Sequence, residues 1–145
     1  MTIYFDLDGT LANLYAVEDW LPKLRAENPS PSEEATPMCD FHKLARLLNQ
    51  LQRKGYKIGI ASWLSKESSA EYDEAVRRAK RRWLAHHLPS VDWDEIHMVK
   101  YGTPKQKICS DKTGILFDDE QDNRTHWRGE AYAPNELLSV LEALL

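Results

Sequence analysis

Asp6 and Asp8 lie two residues apart, where a short apolar run gives way to Gly9. Carboxylates at this spacing can divide a reaction: one attacks while the other moves a proton. A carboxylate is a competent nucleophile toward phosphorus, because the acyl phosphate it forms is itself reactive. Acids this close repel unless a cation or a shared proton intervenes. Asp118, with Asp119 beside it, brings further carboxylates from a distant part of the chain. Several hard oxygen donors suit Mg2+ and do not suit zinc. His42, His86, His87, His97 and His126 show no metal-ligand spacing, and Cys39 and Cys109 form neither a disulfide framework nor a zinc knuckle. Asp-Gly alone also reads as a plain turn, so the chemistry depends on whether the fold gathers these acids.

Five short runs read as strands: residues 2–5, 56–61, 95–99, 114–118 and 130–133. Helical spacing lies between them. Phe41, Leu44, Leu47, Leu48 and Leu51 form one stripe, and Tyr72, Ala75, Val76, Ala79 and Trp83 another. Pro104 to Cys109 suggests a short helix opened by proline, and Asn135 a cap for a last helix carrying Leu138, Leu141, Leu144 and Leu145. Strands alternating with helices predict a three-layer α/β/α fold around a mostly parallel sheet. Ligands of such sheets bind beyond the carboxyl ends of the strands. Asp6 and Asp8 end the first strand, Ser62 the second, and Asp118 and Asp119 the fourth. Residues 13–40 form a small excursion after the first strand, with Val17, Trp20, Leu21 and Leu24 at helical spacing before a Pro-rich loop. They are expected either to close over the strand ends or to be a surface loop.

The chain has 145 residues, 42% hydrophobic and 29% charged, and fits one domain over 1–145. A formal charge of -4 argues against a strongly basic nucleic-acid binder. No stretch approaches a membrane span, and the N-terminus does not resemble a signal peptide, so a cytoplasmic location is expected.

The residues Asp6-Leu7-Asp8-Gly9-Thr10 resemble the Asp-x-Asp-x-Thr motif of the haloacid-dehalogenase-like (HAD) phosphohydrolase superfamily. Ser62, after Ile58-Gly59-Ile60-Ala61, is similar to its second motif, Lys105 to its third, and Leu116-Phe117-Asp118-Asp119 to its fourth. The resemblance implies a Rossmann-like HAD fold with strand order 3-2-1-4-5. It also implies a phosphomonoester hydrolase that works through an aspartyl phosphate with Mg2+. Asp6 would be the nucleophile and Asp8 the acid/base. Ser62 and Lys105 would hold the phosphoryl group, with the amides of residues 7, 8 and 63 as helpers. Asp6, the Asp8 carbonyl and Asp118 would be metal ligands, and Asp119, Asp122 and Asn123 would stand behind them. The small excursion is similar to that of capless or minimal-cap members, and the layout weakly to deoxyribonucleotidase-like ones.

The expected substrate is a nucleotide or other small phosphate ester, and the chain is expected to act as a monomer. The alternatives are a phosphatase of a phosphoprotein or polynucleotide end, and a non-catalytic binding protein that retains the fold. Trp63 could border the leaving group, as could Leu14, Tyr15 and Trp20, while Trp127 and Arg128 could reach the rim. Lys100 and Lys107 compete with Lys105 and read as surface lysines. The run Arg77-Arg78-Ala79-Lys80-Arg81-Arg82 reads as a solvated helix face after the acids Glu67, Glu71, Asp73 and Glu74, or as a contact for anions.

Overall fold

The computed structural model describes residues 1–145. Five parallel strands form one sheet in the order β3-β2-β1-β4-β5: β1 (Thr2–Phe5), β2 (Lys57–Trp63), β3 (Glu95–Val99), β4 (Ile115–Phe117) and β5 (Ala131–Tyr132). This is the order implied by the HAD resemblance. Helices α1 (Trp20–Arg25) and α2 (Pro31–Glu34) follow β1, and α3 (Phe41–Arg53) leads to β2. Helix α4 (Ala70–His87) links β2 to β3, and α5 (Lys105–Ile108) precedes β4. Helix α6 (Gln121–His126) leads to β5, and α7 (Leu137–Ala143) closes the described chain. None of the helices is long and apolar enough to cross a membrane.

The sheet is built outward from β1, whose residues are all buried. Ile3 pairs with Ile58 and Ile115, and Phe5 with Ile60 and Phe117. The period of two sends Ile3 and Phe5 to one face and Tyr4 to the other. Ile3 and Phe5 join a cluster of 24 buried residues, which includes Leu44, Leu47, Leu48 and Leu51 of α3 and Leu137 and Leu141 of α7. Tyr4 joins a cluster of only five, with Ala61, Cys109, Leu116 and Trp127. Stability therefore rests mainly on the first face, since each fully buried aliphatic or aromatic side chain contributes about 1.5–3 kcal/mol.

Two caps set the long helices. Asp40 accepts hydrogen bonds from the amides of His42 and Lys43 and starts α3. Ser69 accepts from the Tyr72 amide and starts α4. Some boundaries differ from the sequence reading. Strand β2 extends through Ser62 and Trp63, because both pair with β3. Glu67 has φ 53° and precedes α4, so it does not share that helix with Glu71, Asp73 and Glu74. Pro104 caps α5 from outside its first turn. Asn135 lies in a 3-10 turn (Pro134–Glu136), and α7 starts behind it at Leu137.

The excursion is fastened at its base and along its length. Asn13 donates to the Thr36 carbonyl at 2.8 Å, and Met38 to the Leu11 carbonyl at 2.9 Å. Glu27 accepts from the amide and hydroxyl of Ser69 at 2.8 and 2.9 Å. Trp83 of α4 donates its indole N–H to the Ala35 carbonyl at 2.7 Å.

Where β1 ends, the Leu7 carbonyl accepts from the amides of Thr10, Leu11 and Ala12, and Gly9 takes φ 82°. A Cβ at Gly9 would lie 2.3 Å from Asp119 Oδ2, whereas one at Gly55, with φ 99°, would meet nothing within 4 Å. Gly55→Ala should therefore cost only the left-handed backbone penalty, about 1 kcal/mol. Gly9→Ala should cost about 2–4 kcal/mol, because a displaced carboxylate is added. Urea unfolding of the two variants measures the difference.

Candidate active site

The parallel sheet brings the ends of β1, β2 and β4 to one edge. The Asp6 amide continues the ladder by donating to the Phe117 carbonyl at 2.9 Å, and the Asp118 amide donates to the Tyr132 carbonyl at 3.2 Å. Both backbones are thus fixed before either side chain makes a contact. Asp6 is 7% exposed and Asp118 fully buried. Thr10 donates its hydroxyl to Asp6 Oδ2 at 3.2 Å, which gives the threonine of the Asp-x-Asp-x-Thr run a physical task.

Lys105 is buried and bridges the two acids, with Nζ 3.0 Å from Asp6 Oδ1 and 2.6 Å from Asp118 Oδ2. Its competitors Lys100 and Lys107 are exposed. The Asp118 carboxylate also accepts from the Glu120 amide at 2.9 Å and the Asn123 side-chain amide at 3.1 Å. Asp122 is exposed, and its carbonyl engages the His126 ring, so it stands apart from this network. Trp127 is buried against Tyr4 and donates to the Gly114 carbonyl, away from the rim.

Asp6, Asp118 and Asp119 place ligand oxygens within 4.8 Å of one another. Asp119 thus lies in the same acidic cluster as Asp6 and Asp118. The Asp8 carboxylate turns to another partner: it forms an ion pair with Lys80 at 3.0 Å. Lys80 is 2% exposed and also donates to the Ser62 hydroxyl at 3.1 Å and the Trp63 carbonyl at 3.2 Å. For Lys80 this corrects the reading of residues 77–82 as a solvated face, while Arg78, Arg81 and Arg82 are exposed. Lys80 lies on the buried face with Tyr72, Val76, Ala79, Trp83 and Leu84. The stripe read from the sequence left Lys80 out, because the flanking arginines suggest solvent. Of those arginines, Arg77 meets Glu74 and the Met98 carbonyl, and Arg82 meets Glu33, while Arg78 and Arg81 are exposed.

These groups lie at the foot of a cavity of about 730 Å³. Leu14, Tyr15, Trp20, Leu21 and Leu24 of the excursion form one wall, and Trp63, Tyr72, Val76 and Tyr101 line it from the main body. The Trp63 ring lies 5.6 Å from Lys105 Nζ, and its N–H donates to the Thr103 carbonyl at 2.7 Å. The amides of Leu7 and Asp8 make no backbone hydrogen bond, so donors remain at the turn.

Four carboxylates (Asp6, Asp8, Asp118 and Asp119) face two ammonium groups (Lys80 and Lys105). The excess of negative charge and the all-oxygen donor set fit a divalent hard cation such as Mg2+. Burial pushes the Asp6 carboxyl up to about 7; Lys105 opposes this, while Asp119 and Asp8 add to it. Burial and the Asp6 charge also raise Asp118, and burial raises Asp119. Burial works against the Lys105 ammonium, but Asp6 and Asp118 outweigh it and hold it above the ordinary lysine value.

The sheet order is the one that the HAD resemblance implies, and the turn after β1 and the acidic pair after β4 gather three aspartates at one edge of that three-layer fold. Among solved structures, the chain is similar to D,D-heptose 1,7-bisphosphate phosphatase from Burkholderia thailandensis, with a TM-score of 0.55 and 10% identity over 99% of this chain and 97% of that one. It also aligns with the HAD domain of effector protein Lem4 from Legionella pneumophila, with a TM-score of 0.37 and 14% identity over 91% and 83% of the two chains. At these identities the first likeness concerns the fold alone. No protein-family profile and no curated protein matches the sequence.

A cation on these carboxylates must displace the Asp6 proton. The folded, metal-free chain holds that proton up to about pH 7, against an ordinary value of 3.8. Asp6 therefore lowers metal-free stability as pH rises through this window, because unfolding releases the proton. Mg2+ affinity should rise about tenfold per unit as pH approaches 7 and then level off. Calorimetric titration across this range measures the slope, and a flat profile would remove Asp6 from the ligand set.

Proposed function

We propose that this chain is a Mg2+-dependent phosphomonoester hydrolase that forms an aspartyl phosphate on Asp6. One observation carries the reading: Asp6 is pinned at the foot of a substrate-sized cavity, within 4.8 Å of Asp118 and Asp119. Asp6, Asp118 and Asp119, with the Asp8 carbonyl, would hold the Mg2+, which supplies charge compensation at the phosphoryl oxygens.

Asp6 attacks phosphorus in line. The new bond joins its carboxylate oxygen to phosphorus, the ester P–O bond breaks, and the electron pair goes to the leaving oxygen. Asp8, in its acid form, gives that oxygen a proton. The Ser62 hydroxyl and the Lys105 ammonium bind the phosphoryl oxygens, with the free amides at Leu7 and Asp8 as helpers. Water then attacks the phosphorus of the aspartyl phosphate and loses its proton to Asp8. The Asp6 carboxylate leaves, and inorganic phosphate is released.

The cavity exceeds what phosphate alone would fill and lies in the usual range for small-molecule sites, roughly 300–1,000 Å³. Its aromatic lining suits the organic part of a nucleotide or other small phosphate ester. Contact with a phosphoprotein or polynucleotide is less well supported. In the basic run, Lys80 is buried and Arg77 and Arg82 have local partners, which leaves Arg78 and Arg81 for such a surface. A purely structural role gives no reason to gather these acids around two buried lysines.

Asp6→Asn should fold normally and lose phosphate release to below about 1% of the parent, since general acid–base help cannot replace a missing nucleophile. Phosphate release from a panel of nucleotides, sugar phosphates, phosphopeptides and end-phosphorylated oligonucleotides, with circular dichroism as the folding control, tests both the chemistry and the substrate class. An Asp6→Asn protein as active as the parent overturns the nucleophile.

EDTA should abolish turnover, and Mg2+ but not Zn2+ should restore it. Undiminished turnover by the exhaustively demetallated protein overturns the metal requirement.

A further inference from the structure

One buried charge has no task in this mechanism. Lys80 lies well inside α4, among residues that pack into the core. A leucine or methionine at this position would bury at no electrostatic cost. An ammonium costs several kcal/mol to bury unless its partners are good. All of its partners stand at the strand ends: Asp8 Oδ2 at 3.0 Å, Ser62 Oγ at 3.1 Å and the Trp63 carbonyl at 3.2 Å. An ammonium has three protons, and here it meets three acceptors.

We propose that Lys80 is a positioning residue that sets Asp8 and Ser62 for phosphoryl transfer, an inference that rests on the phosphatase reading of the site. An ammonium can only donate, so the Ser62 oxygen must accept from it. The single hydroxyl proton of Ser62 is then left for a phosphoryl oxygen. Lys80 likewise holds Asp8 by Oδ2 and leaves Oδ1 for the leaving oxygen. The two buried lysines divide the site: Lys105 serves the nucleophile Asp6 and its neighbour Asp118, and Lys80 serves the proton-transfer and phosphoryl-binding groups.

The test is Lys80→Met, which keeps the unbranched side chain out to Cε, removes the ammonium and suits its apolar neighbours. Circular dichroism and the thermal midpoint establish that it folds. Single-turnover rates are then compared for an alkyl phosphate, whose leaving oxygen needs a proton, and an activated aryl phosphate, which needs far less help. The alkyl rate should fall at least about tenfold further than the aryl rate, because general-acid help is worth about 10²–10⁴ in rate. In an Asp8→Asn background Lys80→Met should add no further excess of alkyl over aryl loss, because what remains passes through Ser62 and is shared by both esters.

Equal losses for the two esters, or an alkyl-over-aryl excess that Lys80→Met still adds in the Asp8→Asn background, overturn the positioning role while leaving the phosphatase reading intact. A parent protein that turns over neither ester overturns the phosphatase reading and this inference with it. Nitrogen-15 NMR of the lysine ammonium groups gives a readout free of activity. The Lys80 signal, assigned by its loss in Lys80→Met, should shift in both Asp8→Asn and Ser62→Ala. An unshifted signal overturns the contact itself.

Discussion

The structure depends on keeping several carboxylates close together out of water. Asp6 and Asp118 are almost entirely buried, and Asp119 joins them within a few ångströms. Carboxylates so placed repel one another, and each loses hydration on burial. The chain answers with two lysines drawn from different helices, one between Asp6 and Asp118 and the other against Asp8. Buried ion pairs of this kind return little net stability. The large apolar cluster on the first face of the sheet has to supply it. The core is thus the support for an arrangement that would not hold itself together.

The sheet and its polar edge were legible in the sequence because simple patterns encode them. A buried parallel strand needs apolar and β-branched residues, and Ile3, Ile58, Ile60 and Ile115 advertise it. The strand order came from the HAD resemblance and not from periodicity, since nothing in a local pattern says which strand lies beside which. Asp6, Ser62, Lys105 and Asp118 were legible as motif residues, and the fold brings them to one edge.

Lys80 and the placement of Asp119 were harder to see. A lysine among arginines suggests solvent, and only the three-dimensional stripe of α4 shows that this one points inward. The position of Asp119 depends on the turn at Gly9, whose lack of a side chain leaves room for that carboxylate. The excursion had the same limitation. Its helical spacing was evident, but the Glu27 and Ala35 contacts that fasten it to Ser69 and Trp83 join residues about forty positions apart or more.

The central position of β1 also bears on the order of events during synthesis. Ile3 waits beside an empty place until Ile115 has been made, because β4 is its second neighbour in the sheet. Closing so long a loop is slow compared with forming a helix or a local turn. Asp6 and Asp118 meet only when that loop closes, so a nascent chain already carrying Asp6, Asp8 and Ser62 still lacks the assembled cluster. The least local pairing in the sheet therefore governs when the chain acquires its chemistry.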